Sequence, residues 1–147
     1  MYTNVITVAN AKDYLGIDDD SRDAEIKRMI NSALKYLEKR TNIIMVAIDK
    51  SYVLTNGCAH VYDYPINTPD ADLDDTVTRT NGNLYSVYSD TATDATVITL
   101  NVGCVDVDED IIEAGYMLIE HYFQEGDRSA IPKAVEDIIA INKRFII

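Results

Sequence analysis

Carboxylates are the residues of this chain best suited to chemistry, and they come in two runs. Asp18-Asp19-Asp20 and the set Asp70, Asp72, Asp74 and Asp75 both offer hard oxygen ligands for a divalent cation. A calcium loop requires oxygens at positions 1, 3 and 5, a Gly at 6 and a Glu at 12. Counted from Asp18, those later positions hold Arg22, Asp23 and Met29, so the first run fails. The second run lacks both the Gly turn and a Glu in register, and reads as a solvated loop. Soft ligands are sparser. Cys58-x-His60 is one loose pair, with Cys104 and His121 remote in sequence, whereas structural zinc sites use two close pairs. No metal centre is expected.

Nucleophilic and phosphate chemistry fare no better. There is no G-x-S-x-G elbow and no cysteine flanked as in the thiol enzymes. All six glycines (Gly16, Gly57, Gly82, Gly103, Gly115 and Gly126) are isolated, so no Gly-rich loop can cradle a phosphate. His121 falls beside the Leu118–Tyr122 stripe of a helix and reads as a boundary residue, not a base. The expectation is a protein that is not an enzyme and carries no cofactor.

Composition narrows the class further. A chain of 147 residues can bury roughly 70% of its unfolded surface, and 47% hydrophobic content sets it apart from disordered chains. The net charge of −12 works against phosphate binding, which needs surplus Lys and Arg. That charge is unevenly placed. Residues 1–40 carry seven acids and seven bases; residues 41–110 carry twelve acids against Lys50 and Arg79; residues 111–147 carry six acids and four bases. The middle therefore holds −10 of the total. No basic-then-apolar leader is visible after Met1, and the longest apolar run, Ile43 to Ile48, is far short of the ~20 residues that span a bilayer. A soluble, intracellularly made protein is expected, with Cys58 and Cys104 as free thiols rather than a disulfide framework.

The elements that carry these residues are legible from period and punctuation. Thr7 to Leu15 predicts a short helix, capped by Thr7 or Asn10 and stopped at Gly16. A long helix from about Arg22 to Arg40 follows, with Ile26, Met29, Ile30, Ala33, Leu34 and Leu37 on one buried stripe and Lys27, Lys35 and Glu38 on the other side. Asp18, Asp19, Asp20 and Ser21 are its candidate N-caps. The period then changes to short runs rich in Val, Ile, Thr and Tyr: Ile43–Ile48, Ser51–Thr55, Ala59–Tyr64, Thr76–Thr80, Leu84–Tyr88 and Thr96–Val102. Asn56-Gly57 and Asn81-Gly82 are hairpin turns. Helical period returns from Asp108 to Glu125, and a last helix opens near Ile131-Pro132. The fold class is α+β: a bundle of about four helices with a short-stranded antiparallel insertion between the second and third. The expected organisation is one domain over 1–147, with N-terminal helices over 1–42, the acidic insertion over 43–107 and C-terminal helices over 108–147.

The wording of the helices adds a resemblance. Ala11-Lys12-Asp13-Tyr14-Leu15, a small acidic loop, and a long helix ending Tyr36-Leu37-Glu38-Lys39-Arg40-Thr41 resemble the start of the head–tail connector (adaptor) proteins of long-tailed bacteriophages. Ile111 to Glu125 resembles the family's third helix. Ile131-Pro132 with Val135, Ile138, Ile139 and Lys143-Arg144 resembles its closing helix, which opens with proline and ends basic. The resemblance covers both ends, about half the chain.

That resemblance implies a structural adaptor of the virion neck, made in the host cytoplasm. Copies would form a ring, dodecameric by the family's pattern, between the portal protein and a stopper or tail-completion protein. DNA would pass through without specific binding, and no membrane is involved. The family docks on the portal through its C-terminal region, which maps the contact here to Lys143, Arg144, Phe145, Ile146 and Ile147. Asp70, Asp72, Asp74 and Asp75 become a channel-facing or partner-facing acidic loop, since carboxylates lining a channel repel phosphates. Ten tyrosines against two phenylalanines and no tryptophan suit subunit contacts, with Tyr62, Tyr64, Tyr85 and Tyr88 on strands. Two rivals stand beside this reading: an acidic DNA-mimicking inhibitor of a host nucleic-acid enzyme, and a metal-dependent hydrolase using the Asp-rich loop.

Overall fold

The computed structural model describes residues 2–68, 77–79, 85–89, 96–125 and 130–144, with the side chains of 77–79 and 85–89 left aside. A 3-10 turn at Tyr2–Asn4 leads into α1 (Val8–Leu15) and α2 (Asp23–Thr41). Five strands follow: β1 (Ile48–Val53), β2 (Cys58–Val61), β3 (Val77–Arg79), β4 (Tyr85–Ser89) and β5 (Val97–Val102). Helices α3 (Glu109–Glu125) and α4 (Lys133–Asn142) close the chain. This is the α+β order that the change of period predicts.

The expected punctuation of α1 is present. Thr7 Oγ1 accepts from the Asn10 amide, and Gly16 adopts the left-handed conformation (φ 68°) that ends the helix. The start of α2 departs from expectation. Arg22 occupies the cap position with no side-chain hydrogen bond, and none of Asp18, Asp19, Asp20 or Ser21 caps the helix. Asp19 instead accepts from the amide and hydroxyl of Ser21, while Asp20 reaches Lys12 Nζ at 2.5 Å. Asp20 is drawn away because Lys12 is buried and needs a counter-charge, while Asp19 turns back on its own loop. Magnitudes explain why α2 forms regardless. A missing cap forfeits about 1 kcal/mol. Each of the fully buried Ile26, Ile30, Leu34 and Leu37 contributes about 2 kcal/mol.

One core lies among the helices, built on α2 with Ile6, Ile111, Leu118, Ile119, Val135 and Ile139. Gly115 of α3 makes the close approach possible, since a Cβ there would lie 2.8 Å from Ile6 Cδ1 and 3.4 Å from Leu34 Cδ2. Arg22 spans the same interface, stacking on Phe123 (4.3 Å) while its Nε donates to Glu25 (2.8 Å). Glu38 also corrects a sequence expectation. Rather than facing solvent, it accepts from Tyr2 Oη (3.1 Å) and the Met45 amide (3.0 Å), fastening both the N-terminal turn and the exit of α2.

A second, smaller core of Leu54, Ala59, Val61, Leu100 and Val102 serves the insertion. β1 and β5 pair antiparallel from Ile48↔Val102 to Val53↔Val97; β2, β4 and β3 form a separate antiparallel sheet in that order. The runs Ile43–Ile48 and Ser51–Thr55 are thus not two strands. A single strand occupies 48–53, and residues 43–47 form a connector. On the outer face of the first sheet, cross-strand partners bond directly: Asn101 Nδ2 to Asp49 (2.7 Å) and Ser51 to Thr99 (3.1 Å). Asn56 (φ 52°) and Gly57 (φ 74°) make the expected two-residue turn, closed by reciprocal Thr55–Cys58 hydrogen bonds of 2.8 and 3.0 Å, but β1 and β2 on either side of it pair with β5 and β4 rather than with each other. The second expected turn, Asn81-Gly82, lies outside the described residues.

Candidate functional site

The junction between the helical body and the insertion is held by backbone hydrogen bonds from both sides. The Ile44 amide donates to Tyr64 O (2.9 Å), the Cys104 amide to Ile44 O (2.9 Å), and the Gly103 amide to Pro65 O (2.8 Å). Gly103 is required there: its φ is +105°, and a Cβ would fall 2.3 Å from the carbonyl oxygen of Val46. The end of the chain arrives at the same place. Arg144 N donates to Thr41 O (2.7 Å), Asn42 Nδ2 donates to Arg144 O (2.7 Å), and the Arg144 guanidinium stacks over Tyr64.

This fixes two of the five residues expected at a portal contact. Lys143 is exposed, and Arg144 is half-buried and engaged within the chain. Phe145, Ile146 and Ile147 lie outside the described residues. On the preceding turn Ile141 is 80% exposed, an apolar side chain that α4 does not bury against the bundle. Asp70, Asp72, Asp74 and Asp75 also lie outside the described residues. Among the acids of the middle segment that are described, Asp63 is consumed locally, accepting from Lys50 Nζ (2.7 Å) and Tyr52 Oη (2.5 Å).

Two clefts lined by described residues lie near these elements. The larger, about 380 Å³, sits at the junction between Val5, Met45, Val46, Cys104, Val107 and Ile112. The smaller, about 340 Å³, lies where β1 and β2 diverge, beside Tyr52, Val53, Cys58 and His60. Burial, with Asp108 and Glu38 nearby, pushes the Cys104 thiol above its ordinary pKa, so it is held as the weakly reactive neutral form. The soft-ligand candidates are dispersed: Cys58 and His60 on β2, Cys104 past β5, His121 on α3. Among the described residues no group of three His, Cys, Asp or Glu is placed to hold a metal ion. Nor is any described helix long and apolar enough to cross a membrane.

Sequence reading missed Glu38 and Lys12. Their signal was faint, since each lies at the edge of a helical stripe where charge reads as solvated. Of the tyrosines assigned to contacts, Tyr62 is 51% exposed and Tyr64 is covered by Arg144. Tyr85 and Tyr88 sit on β4, where side chains are not described.

The described surface thus offers a junction bonded from both sides, exposed charged helix faces and two clefts. Residues 5–114 match the model of the Phage gp6-like head-tail connector protein family, and the chain belongs to that family. It is a structural adaptor of the head–tail junction, located in the neck of a phage or phage-like virion. Solved structures share its fold. A chain in the "Virion of native gene transfer agent (GTA) particle" matches with a TM-score of 0.67 at 14% identity, over 98% of this chain and 92% of that one. Chains in the "Neck of native GTA particle computed with C12 symmetry" and the "Neck of empty GTA particle computed with C6 symmetry" give TM-scores of 0.66 and 0.65, both at 14% identity. These cover 98% of this chain and 91% and 92% of theirs. No curated protein matches the sequence. The DNA-mimic reading finds no support in these comparisons.

Proposed function

We propose that this chain, folded as one connector domain over 1–147, assembles as a ring beneath the portal protein and extends the DNA channel toward the tail. The observation that carries the reading is the family match over 5–114, joined by a fold likeness that spans 98% of the chain. The named symmetries of the matched necks, sixfold and twelvefold, support a ring and suggest twelve copies. The role is architectural and non-enzymatic.

Two surfaces follow from this. Lys143, Arg144 and Phe145–Ile147 contact the portal. Ile141, 80% exposed on the last turn of α4, favours the same use, because exposed apolar surface seeks a cover. The acidic segment around Asp70, Asp72, Asp74 and Asp75 faces the channel or the stopper protein, where carboxylates keep DNA from adhering. Deleting Phe145–Ile147 tests the first assignment. The truncated chain should fold and fail to join portal-containing particles; normal incorporation would contradict the docking assignment.

A further inference from the structure

The face of α2 turned from the core carries Arg28, Lys35 and Lys39, with Lys27 and Arg40 toward its two edges. Lys27, Arg28, Lys35, Lys39 and Arg40 are all exposed. The helix's acids are spent elsewhere: Asp23 lies 3.0 Å from Lys12, Glu25 is held by Arg22, and Glu38 by Tyr2 and Met45. Among the described residues none of the five cations has a carboxylate within ion-pair distance. In a chain of net charge −12, this basic face is a conspicuous exception and calls for an anionic partner.

The same molecule carries a matching acidic line on its other flank. Glu109 and Glu113 of α3 are exposed and Glu120 is half-exposed. At ~3.6 residues per turn these three share one face, as Arg28, Lys35 and Lys39 share one face of α2. The buried sides of the two helices meet through Gly115 and Leu34, so the charged faces point to opposite flanks of the body. Their spacings are mirror images. Going backward, Lys39 leads by four residues to Lys35 and by seven more to Arg28; going forward, Glu109 leads by four to Glu113 and by seven more to Glu120. Each line is about 16 Å long at the helical rise of ~1.5 Å per residue.

We infer that α2 of one copy lies antiparallel along α3 of the next, setting Lys39 against Glu109, Lys35 against Glu113 and Arg28 against Glu120. Shape agrees with charge. In the gap between Glu113 and Glu120, half-buried Tyr116 stacks on Tyr14 with ring centroids 4.9 Å apart, and the Tyr14 ring is left 42% exposed. The corresponding gap on α2 holds Asn31 and Ser32, short polar side chains that leave room for it. Burial, then the charges of Glu113 and Glu120, raise the Tyr14 pKa, keeping its hydroxyl a donor. A contact between two different faces is head-to-tail, the type that closes into a ring. The inference rests on the ring reading above. DNA in the channel is the other anion such a face can meet, but the matched spacing favours the neighbouring subunit.

The test separates these cases. In a background carrying Cys58→Ser and Cys104→Ser, Lys35→Cys and Glu113→Cys are combined in one chain, and particles built with it are oxidised and run without reductant. A ladder of multiples of the chain is expected, absent from either single-cysteine variant. Particles that contain the chain yet give no ladder overturn the interface and leave the neck assignment standing. Absence of the unmodified chain from purified particles overturns the neck assignment itself. As a second readout, Arg28→Glu with Lys35→Glu and Lys39→Glu should lower incorporation about tenfold or more, since opposed like charges are strongly disfavoured. Adding Glu109→Lys, Glu113→Lys and Glu120→Lys to the same chain should restore it. A loss that this reversal fails to restore, with DNA leaking from the particles, would assign the α2 face to the channel and overturn the inference.

Discussion

The guanidinium of Arg144 sits 3.6 Å from the centroid of the Tyr64 ring, clamping the end of α4 onto the segment that leaves β2. Two backbone-directed hydrogen bonds to Thr41 and Asn42 hold the clamp shut. The helical body and the insertion are thereby stapled by the last described residue of the chain. Arg144→Ala should cost about 1–2 kcal/mol, the range of a partly desolvated cation–π contact with its packing. Denaturant titration of the two proteins checks this; equal midpoints would mean that the stack contributes nothing.

Gly103→Ala should be the most damaging single-methyl change at the junction. A φ of +105° is poor for any side chain, and the new Cβ would meet the immovable Val46 carbonyl. A loss above about 2 kcal/mol is expected from strain and displacement together. An unchanged thermal midpoint would show that the junction can yield.

Glu38→Ala should destabilise by about 1–3 kcal/mol, because it strips partners from the Tyr2 hydroxyl and the Met45 amide. Glu38→Gln keeps an acceptor and should lose less. Equal losses for the two substitutions, read in the same titration, would argue that shape rather than hydrogen bonding matters at this position.

Alkali should weaken the fold through two tyrosines. Burial first, then the bonded carboxylate, raises the pKa of Tyr52 (beside Asp63) and of Tyr2 (beside Glu38) above the ordinary 10.0. A raised folded-state pKa means the stabilisation is complete below the unfolded value and is lost as pH climbs past it. The thermal midpoint should therefore fall above about pH 10, and Tyr52→Phe should flatten that fall. Parallel wild-type and variant curves would contradict the assignment.

How much of this was legible depended on whether local chemistry decided the outcome. Helices α1 to α4 were readable because Ile26 to Leu37 and Ile111 to Ile119 repeat at helical spacing and their burial dominates. The Asn56-Gly57 turn was readable because few residue pairs accept two positive φ values. Asp20 was misread as a cap of α2 because it serves a buried Lys12 from α1, a tertiary demand with no local trace. The split of residues 43–55 into two strands failed likewise. Residues 43–47 look extended and apolar, yet they are spent crossing between two cores beside Gly103. At the candidate surface, Lys143 and Arg144 were assigned to a portal contact through the resemblance, and the capture of Arg144 by Tyr64 was not legible because it depends on a contact across 80 residues of chain.

The central claim, that this chain forms a ring in the virion neck, is tested most directly by cryo-electron microscopy of the necks of purified particles containing it. The predicted result is a closed ring of this fold between portal and tail, twelvefold like the C12 neck whose chain it matches. Particles whose neck density accommodates no copy of this fold, with the chain left behind as an unassociated species in the lysate, would contradict it.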